Sequence, residues 1–295
     1  ANLVASANAA GVAGADTVEV SDVITLTQAR AVIAAATTTD IDYALTGTRS
    51  QLQGATGTEA GYATTVTVTD TVTAAQASII NSVYTGGTQV TFAQVKGSYA
   101  ELTASSNQLI DQAQQVDLTD ALTVAQLEGS DGFLNVVGDK LVGGYDVADS
   151  VANIVDAALN TEFSAAIVEN ATNVSLTGNG VMNVAAANVI TGLNFSGDYS
   201  LMDNAEAIQG ADMALVNGAA QVTVEMAAGI AETFDATAYT SDVTLDFTGE
   251  KATVTDNGGT YTLSNVDVVS AKGATGADDL GDHIELDNNG TATFD

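Results

Sequence analysis

The side chains able to do acid–base or nucleophilic chemistry are few in kind. His283 is the single histidine, and it sits in Gly281-Asp282-His283-Ile284-Glu285, between carboxylates. A Ser-His-Asp arrangement would have no other base to use. A protonated histidine paired on an acidic surface is the plainer reading of that stretch. Carboxylate pairs such as Asp40/Asp42 and Asp278/Asp279 have the residue types a glycosidase needs. With 37 acidic residues, such pairs arise by density alone and do not mark a catalytic dyad. No glycine-rich loop leads into Lys-Ser or Lys-Thr, as a phosphate cradle requires. Cysteine is absent, which excludes thiol chemistry and disulfides. The chain is not expected to be an enzyme.

The charge excludes more. Arg30 and Arg49 are the only arginines and Lys96, Lys140, Lys251 and Lys272 the only lysines, against 37 acidic residues, for a formal charge of −31. Nucleic-acid binding needs cations to neutralise phosphates, and anionic lipid repels such a chain. The charge favours solubility and opposes compaction. Salt screens it over a Debye length of about 8 Å at physiological ionic strength, and divalent cations would screen it further. No window approaches the run of about 18 apolar residues that a membrane helix needs, so membrane insertion is not expected. Proline and tryptophan are absent too. Without disulfides, packing, repetition or metal must hold the chain together.

Repetition is the strongest signal of the elements that position these residues. Five strand-like phrases recur: Val18-Glu-Val-Ser-Asp22, Val66-Thr-Val-Thr-Asp70, Val116-Asp-Leu-Thr-Asp120, Val174-Ser-Leu-Thr-Gly178 and Val222-Thr-Val-Glu-Met226. Their spacings are 48, 50, 58 and 48 residues. Thr25-x-x-Gln28, Thr73-x-x-Gln76 and Thr123-x-x-Gln126 follow the first three, each a helix-starting capping box. A second phrase lies mid-repeat at Tyr43–Thr48, Tyr145–Ser150 and Tyr199–Asn204, with aliphatic Leu52, Ile154 and Ile208 four residues on. The second repeat keeps only the end of that phrase, Ser98, Glu101 and Leu102. Thr48-x-x-Gln51 and Ser98-x-x-Glu101 are again capping boxes. Each long repeat therefore reads as two strand–turn–helix units of about 24 residues.

The predicted architecture is an α/β repeat, a strand–turn–helix solenoid passing into a more β-rich C-terminal part; an all-β sandwich array is the alternative. In-register stacking would place Val18, Val66, Val116, Val174 and Val222 in one apolar row and Val20, Val68, Leu118, Leu176 and Val224 in a second. The covering helices would bury Ile24 and Ile33, Val72 and Ile79, and Leu122. The outward positions, Glu19, Thr67, Asp117, Ser175 and Thr223, form no regular threonine array of the kind ice binding would use.

Three zones are expected. Residues 1–16 read as an arm or linker, 17–171 carry the clear repeats, and 172–295 hold degenerate repeats and strand-like runs. Those runs are Val222–Val224, Val243–Phe247, Ala252–Thr255, Tyr261–Leu263 and Val266–Val269, with a hairpin signal at Asp256-Asn-Gly-Gly259. With no initiator methionine and no basic-then-apolar start, the chain reads as a processed or excised piece, or one exported by a C-terminal signal.

Gly273-Ala-Thr-Gly276-Ala-Asp278-Asp279-Leu280-Gly281 resembles the RTX nonapeptide at all but its second glycine. In that motif turn carbonyls and the Asp carboxylate surround calcium, a hard cation that takes six to eight oxygens. The resemblance implies a calcium site at Asp278 and Asp279, with Asp282 and Glu285 beside it. The phrases around Val66 and Tyr145 also look like those of large secreted bacterial repeat proteins, the RTX-type adhesins and S-layer-like surface proteins, over roughly residues 17–210. That resemblance implies type I export, calcium and a place on the bacterial cell surface or in extracellular matrix. Two functions follow from it. One is a structural protein that self-assembles as a homo-oligomeric layer, sheath or filament. The other is a ligand-binding or spacer segment of a large adhesin, whose partner would be a surface glycan.

Overall fold

The structure, a computed structural model, describes residues 12–104, 108–128, 131–160 and 164–225, and beyond them the backbone of four short strands at 243–246, 268–270, 284–286 and 292–294. It comprises two compact units, Ala1–Tyr145 and Asp146–Asp295.

In the first unit six strands form one sheet in sequence order: β1 (Val18–Ile24), β2 (Ile41–Gly47), β3 (Ala63–Thr73), β4 (Gln89–Gly97), β5 (Val116–Leu118) and β6 (Leu141–Val142). All five pairings are parallel. Parallel neighbours need a crossover, and helices supply it. Helix α1 (Leu26–Ala35) leads from β1 to β2; α2 (Arg49–Leu52) and α3 (Gly57–Gly61) lead to β3; α4 (Ala74–Val83) leads to β4. Then α5 (Tyr99–Thr103) and α6 (Leu109–Gln112) lead to β5, and α7 (Val124–Leu127) and α8 (Phe133–Val137) to β6. Paired residues lie 23 apart from Val18 to Ile41, 21 from Leu45 to Val66, 24 from Val66 to Val90 and 21 from Val95 to Val116. The stacked unit is thus the half-repeat.

The expected helix starts form. Thr25, Thr73, Ser98 and Thr123 each make a complete capping box with the residue three on. The Thr48 N–H donates to Gln51 Oε1 at 2.8 Å. A further box, Thr56 with Glu59, opens α3. In α4, Gln76 N–H donates to Thr73 Oγ1 at 3.2 Å and Thr73 N–H to Gln76 Oε1 at 3.0 Å. Thr73→Ala and Ser98→Ala are each expected to cost about 1 kcal/mol, measured by urea unfolding. No change in either variant would remove capping from the account of these helices.

The strands bury one side. Ile24, Leu45, Val66 and Val90 form one buried row across four strands. Val68 and Phe92, with half-buried Gly47 beside Val68, form another, and Val72, Val95 and Val116 a third. Residues one, four and seven after the cap meet this face: Leu26, Ala29 and Val32 in α1, and Ala74, Ala77 and Ile80 in α4.

These rows correct two expectations. Val18, Val66 and Val116 are not one row, nor are Val20, Val68 and Leu118. Val20 opposes Tyr43, Val68 lies between Gly47 and Phe92, and Leu118 opposes Gly97. Half-repeat strands intervene, and register shifts at Val20/Val23, Tyr43/Ala44 and Val68/Thr71 displace what remains. On the helices, Ile79 is 49% exposed and Ile33 half-buried, whereas Ile80 and Val32 are buried. Ile24, Val72 and Leu122 are buried as expected.

In the second unit β7 (Asp146–Asp149) pairs in parallel with β8 (Asn173–Leu176), so Val147 meets Val174. A separate parallel sheet runs β9 (Val181–Met182), β10 (Ser200–Asn204), β11 (Gln221–Glu225), β12 (Val243–Asp246) and β13 (Val268–Ser270). There Leu201, not Val174, is the neighbour of Val222. The helices are α9 (Val151–Leu159), α10 (Ser164–Glu169), α11 (Val184–Thr191), α12 (Ala205–Gly210) and α13 (Met213–Asn217). Ser150, Asn183, Asn204 and Asp212 cap four of them. Strands β14 (Ile284–Leu286) and β15 (Ala292–Phe294) pair antiparallel.

The fold is therefore mixed α/β with parallel sheets, and no closed barrel forms among the described residues. An antiparallel sandwich does not form there. Of the strand-like runs expected late in the chain, Val222–Val224, Val243–Phe247 and Val266–Val269 overlap β11, β12 and β13. Ala252–Thr255, Tyr261–Leu263 and the turn Asp256–Gly259 lie outside the described residues. No helix among the described residues is long and apolar enough to cross a membrane.

Candidate functional site

Asp278, Asp279, Asp282 and His283 lie outside the described residues, and Glu285 falls in β14, of which only the backbone is described. Among the described residues no three His, Cys, Asp or Glu side chains gather as metal ligands. Three sets of converging polar groups bear on function.

The first set joins successive units. Asp70 Oδ1 accepts from the Arg49 N–H at 2.7 Å, Asp120 Oδ1 from the Tyr99 N–H at 2.8 Å, and Asp203 Oδ2 from the Val184 N–H at 3.0 Å. Each donor is the first residue of a helix, where the N–H has no intrahelical partner and the helix dipole favours an anion. Asp70 and Asp120 of the strand phrase, and Asp203 of the mid-repeat phrase, thus each cap the helix of the preceding half-repeat. The repeated tyrosine acts within its unit: the Tyr43 OH donates to the Glu59 carbonyl and the Tyr199 OH to the Leu215 carbonyl, both at 2.5 Å and both 16 residues on. Burial raises both phenols above their ordinary pKa.

The second set is a partly buried ion pair. Arg30 Nε donates to Glu59 Oε1 at 2.6 Å and Arg30 Nη2 to the Gly54 carbonyl at 2.8 Å. Glu59 is buried while half of the Arg30 side chain is exposed. Glu59 Oε2 also accepts from the Thr56 N–H at 2.6 Å, closing the α3 cap. The Arg30 hydrogen bond holds the Glu59 carboxyl below the usual carboxylate range; burial opposes this, and the Thr56 N–H adds to the lowering. The nearby Tyr84 donates to the Leu52 carbonyl at 2.9 Å, and burial pushes its phenol up to about 12.

Glu59 has a signed consequence. A carboxyl lowered by folding stabilises the fold above its unfolded pKa, about 4.3, and that stabilisation is lost as pH falls through the lower folded value. The stability gap between the protein and Glu59→Gln is therefore expected to be constant near neutrality and to close in acid. A gap that widens in acid would refute the assignment. The pair ties α1 to α3 and to the Gly54 loop before it, a structural link.

The third set is the sheet face opposite the buried rows. Register places Val23, Ala44, Thr65 and Gln89 in one outward row, Thr46, Thr67 and Thr91 in the next, and Thr71 with Gln94 beyond. All are exposed or half-buried. Thr67 Oγ1 and Thr91 Oγ1 lie 3.3 Å apart, and the Thr71 hydroxyl donates to Gln94 Oε1 at 2.7 Å. Charge stands at the borders, where Glu19 faces Asp42 and Lys96 pairs with Asp117 at 3.1 Å.

Sequence reasoning missed this face. Stepping by 48 residues sets Thr67 between Glu19 and Asp117; the structure sets it between Thr46 and Thr91. The half-repeat spacing carried the signal, but the irregular β4 phrase hid the row.

Comparison with known proteins adds no relative: no protein-family model, curated protein or solved structure matches the chain.

Proposed function

We propose that this chain is part of an extracellular structural protein of a bacterial surface, a strand–helix solenoid that assembles with copies of itself into a layer, sheath or filament. The observation that carries the reading is the unit-by-unit construction of the parallel sheet, with an Asp in one unit capping the helix of the unit before. Such construction passes stability from neighbour to neighbour and extends by addition of like units. The described residues bring together tyrosines, threonines and a structural ion pair, a set suited to holding shape. The likeness of the repeat phrases to secreted surface proteins supports the extracellular setting.

At −31 per chain, close approach of copies needs screening. Calcium is the proposed aid, with Asp278, Asp279, Asp282 and Glu285 as its proposed ligands. Light scattering and electron microscopy of the purified chain are expected to reveal ordered assemblies at millimolar calcium or high salt, and fewer after deletion of residues 1–16. Strict monomers at high protein concentration in both conditions would favour the adhesin segment.

A further inference from the structure

Parallel sheets are ordinarily covered on both faces. The sheet of the first unit buries one face under its helices and leaves Thr46, Thr65, Thr67, Thr71, Thr91 and Gln94 exposed or half-buried on the other. No charged side chain stands in the rows these residues form. Two copies of a chain with a formal charge of −31 repel wherever carboxylates meet, so this neutral face is where approach costs least. Its chemistry is also self-complementary. Threonine hydroxyls and glutamine amides both donate and accept, so an identical face can satisfy them, whereas a carboxylate face cannot satisfy its own copy. Tyr43 and Phe92, the aromatic residues of β2 and β4, are buried in the core, which leaves no ring on the face for a sugar to stack upon.

We infer that this threonine and glutamine face is a two-fold contact between copies of the chain, with sheet packed on sheet at a separation of about 10 Å. It rests on the self-assembly reading and names a surface for it. A two-fold contact pairs residue i with j and j with i, and only residues on its axis meet their own counterparts; with the axis through the centre of the middle row, Thr67 approaches the Thr67 of the other copy.

The chain has no cysteine, so Thr67→Cys in the full chain gives a single thiol at the centre of the face. Thr58→Cys, exposed on α3, is the control. At concentrations where the unmodified chain assembles, a short bismaleimide is expected to couple Thr67→Cys into dimers at least about tenfold faster than Thr58→Cys. Thr91→Glu, which places a carboxylate within the contact in each copy, is expected to weaken association at least about tenfold in sedimentation, with Thr58→Glu unchanged. Should Thr91→Glu fail to fold, the coupling rates decide. Assembly of the unmodified chain with equal coupling rates overturns this face and leaves the self-assembly reading standing. A chain that stays monomeric overturns both. A neutral glucan that protects Thr67→Cys from maleimide on a monomeric chain also overturns the contact, and gives the face to a glycan.

Discussion

A chain carrying Val68→Asp is expected to lose about 4 kcal/mol or more of unfolding free energy at pH 7. Val68 is wholly buried, between Gly47 on β2 and Phe92 on β4. A carboxylate there has no cation to meet, since the first unit's four basic residues lie elsewhere: Arg30 on Glu59, Arg49 on Gln53, Lys96 on Asp117, and Lys140 on the Ile110 carbonyl. Burial without a partner raises the carboxyl pKa. The deficit relative to the unmodified chain is then largest above the raised folded value and shrinks as pH falls through it, because the acid enters the core neutral. Thr67→Asp, one residue away on the opposite face, is the control, with an expected loss within about 0.5 kcal/mol. Urea unfolding of both variants at pH 7 and pH 5 measures the contrast. Equal losses would contradict the burial of Val68 and the row through it.

The same strand marks how far the sequence could be read. The turn chemistry was legible residue by residue because a capping box is local. Thr73 and Gln76 satisfy each other within three residues, whatever the sheet does. The half-repeat was legible for the same reason, through Thr48 and Ser98. The rows were not, because register is a property of two strands together. The one extra residue between Val68 and Val72 leaves both valines facing the core and shifts the pairing, and nothing within Val66–Asp70 announces this. The helix faces slipped by one residue for a related reason. Adjacent isoleucines at 79 and 80 both suit a core, and only the direction in which α4 leaves Thr73 chooses Ile80. The outward face was lost with the rows. Of the proposed metal ligands, the sequence named a cluster whose side chains lie outside the described residues.

The largest polar effect is expected at Asp70, and it bears on why the repeat is double. The Asp70 carboxylate accepts the N–H of Arg49, 21 residues earlier, at the start of α2. Asp120 repeats the bond to Tyr99 at the start of α5. Helices α2 and α5 are short, four and five residues, too short to hold themselves. Helices α1 and α4, of ten residues each, alternate with them. In the first unit the strand phrase therefore carries its Asp where the preceding half-repeat has the weaker helix; in the second, Asp203 of the mid-repeat phrase caps the eight-residue α11 instead. Asp70→Ala removes a charge-assisted bond between units and is expected to cost about 2 kcal/mol, within the usual range for hydrogen bonds to charged groups. Asp70→Asn keeps an acceptor and should lose roughly half as much. Asp120 is the more exposed carboxylate, so Asp120→Ala should cost less, about 1 kcal/mol. Amide exchange locates the loss. In Asp70→Ala the Arg49 amide should exchange faster while the Gln76 amide, capped within its own helix, keeps its protection. Unchanged exchange at Arg49 would show that α2 is held by packing of Leu52 alone, and the repeated Asp would then need another explanation.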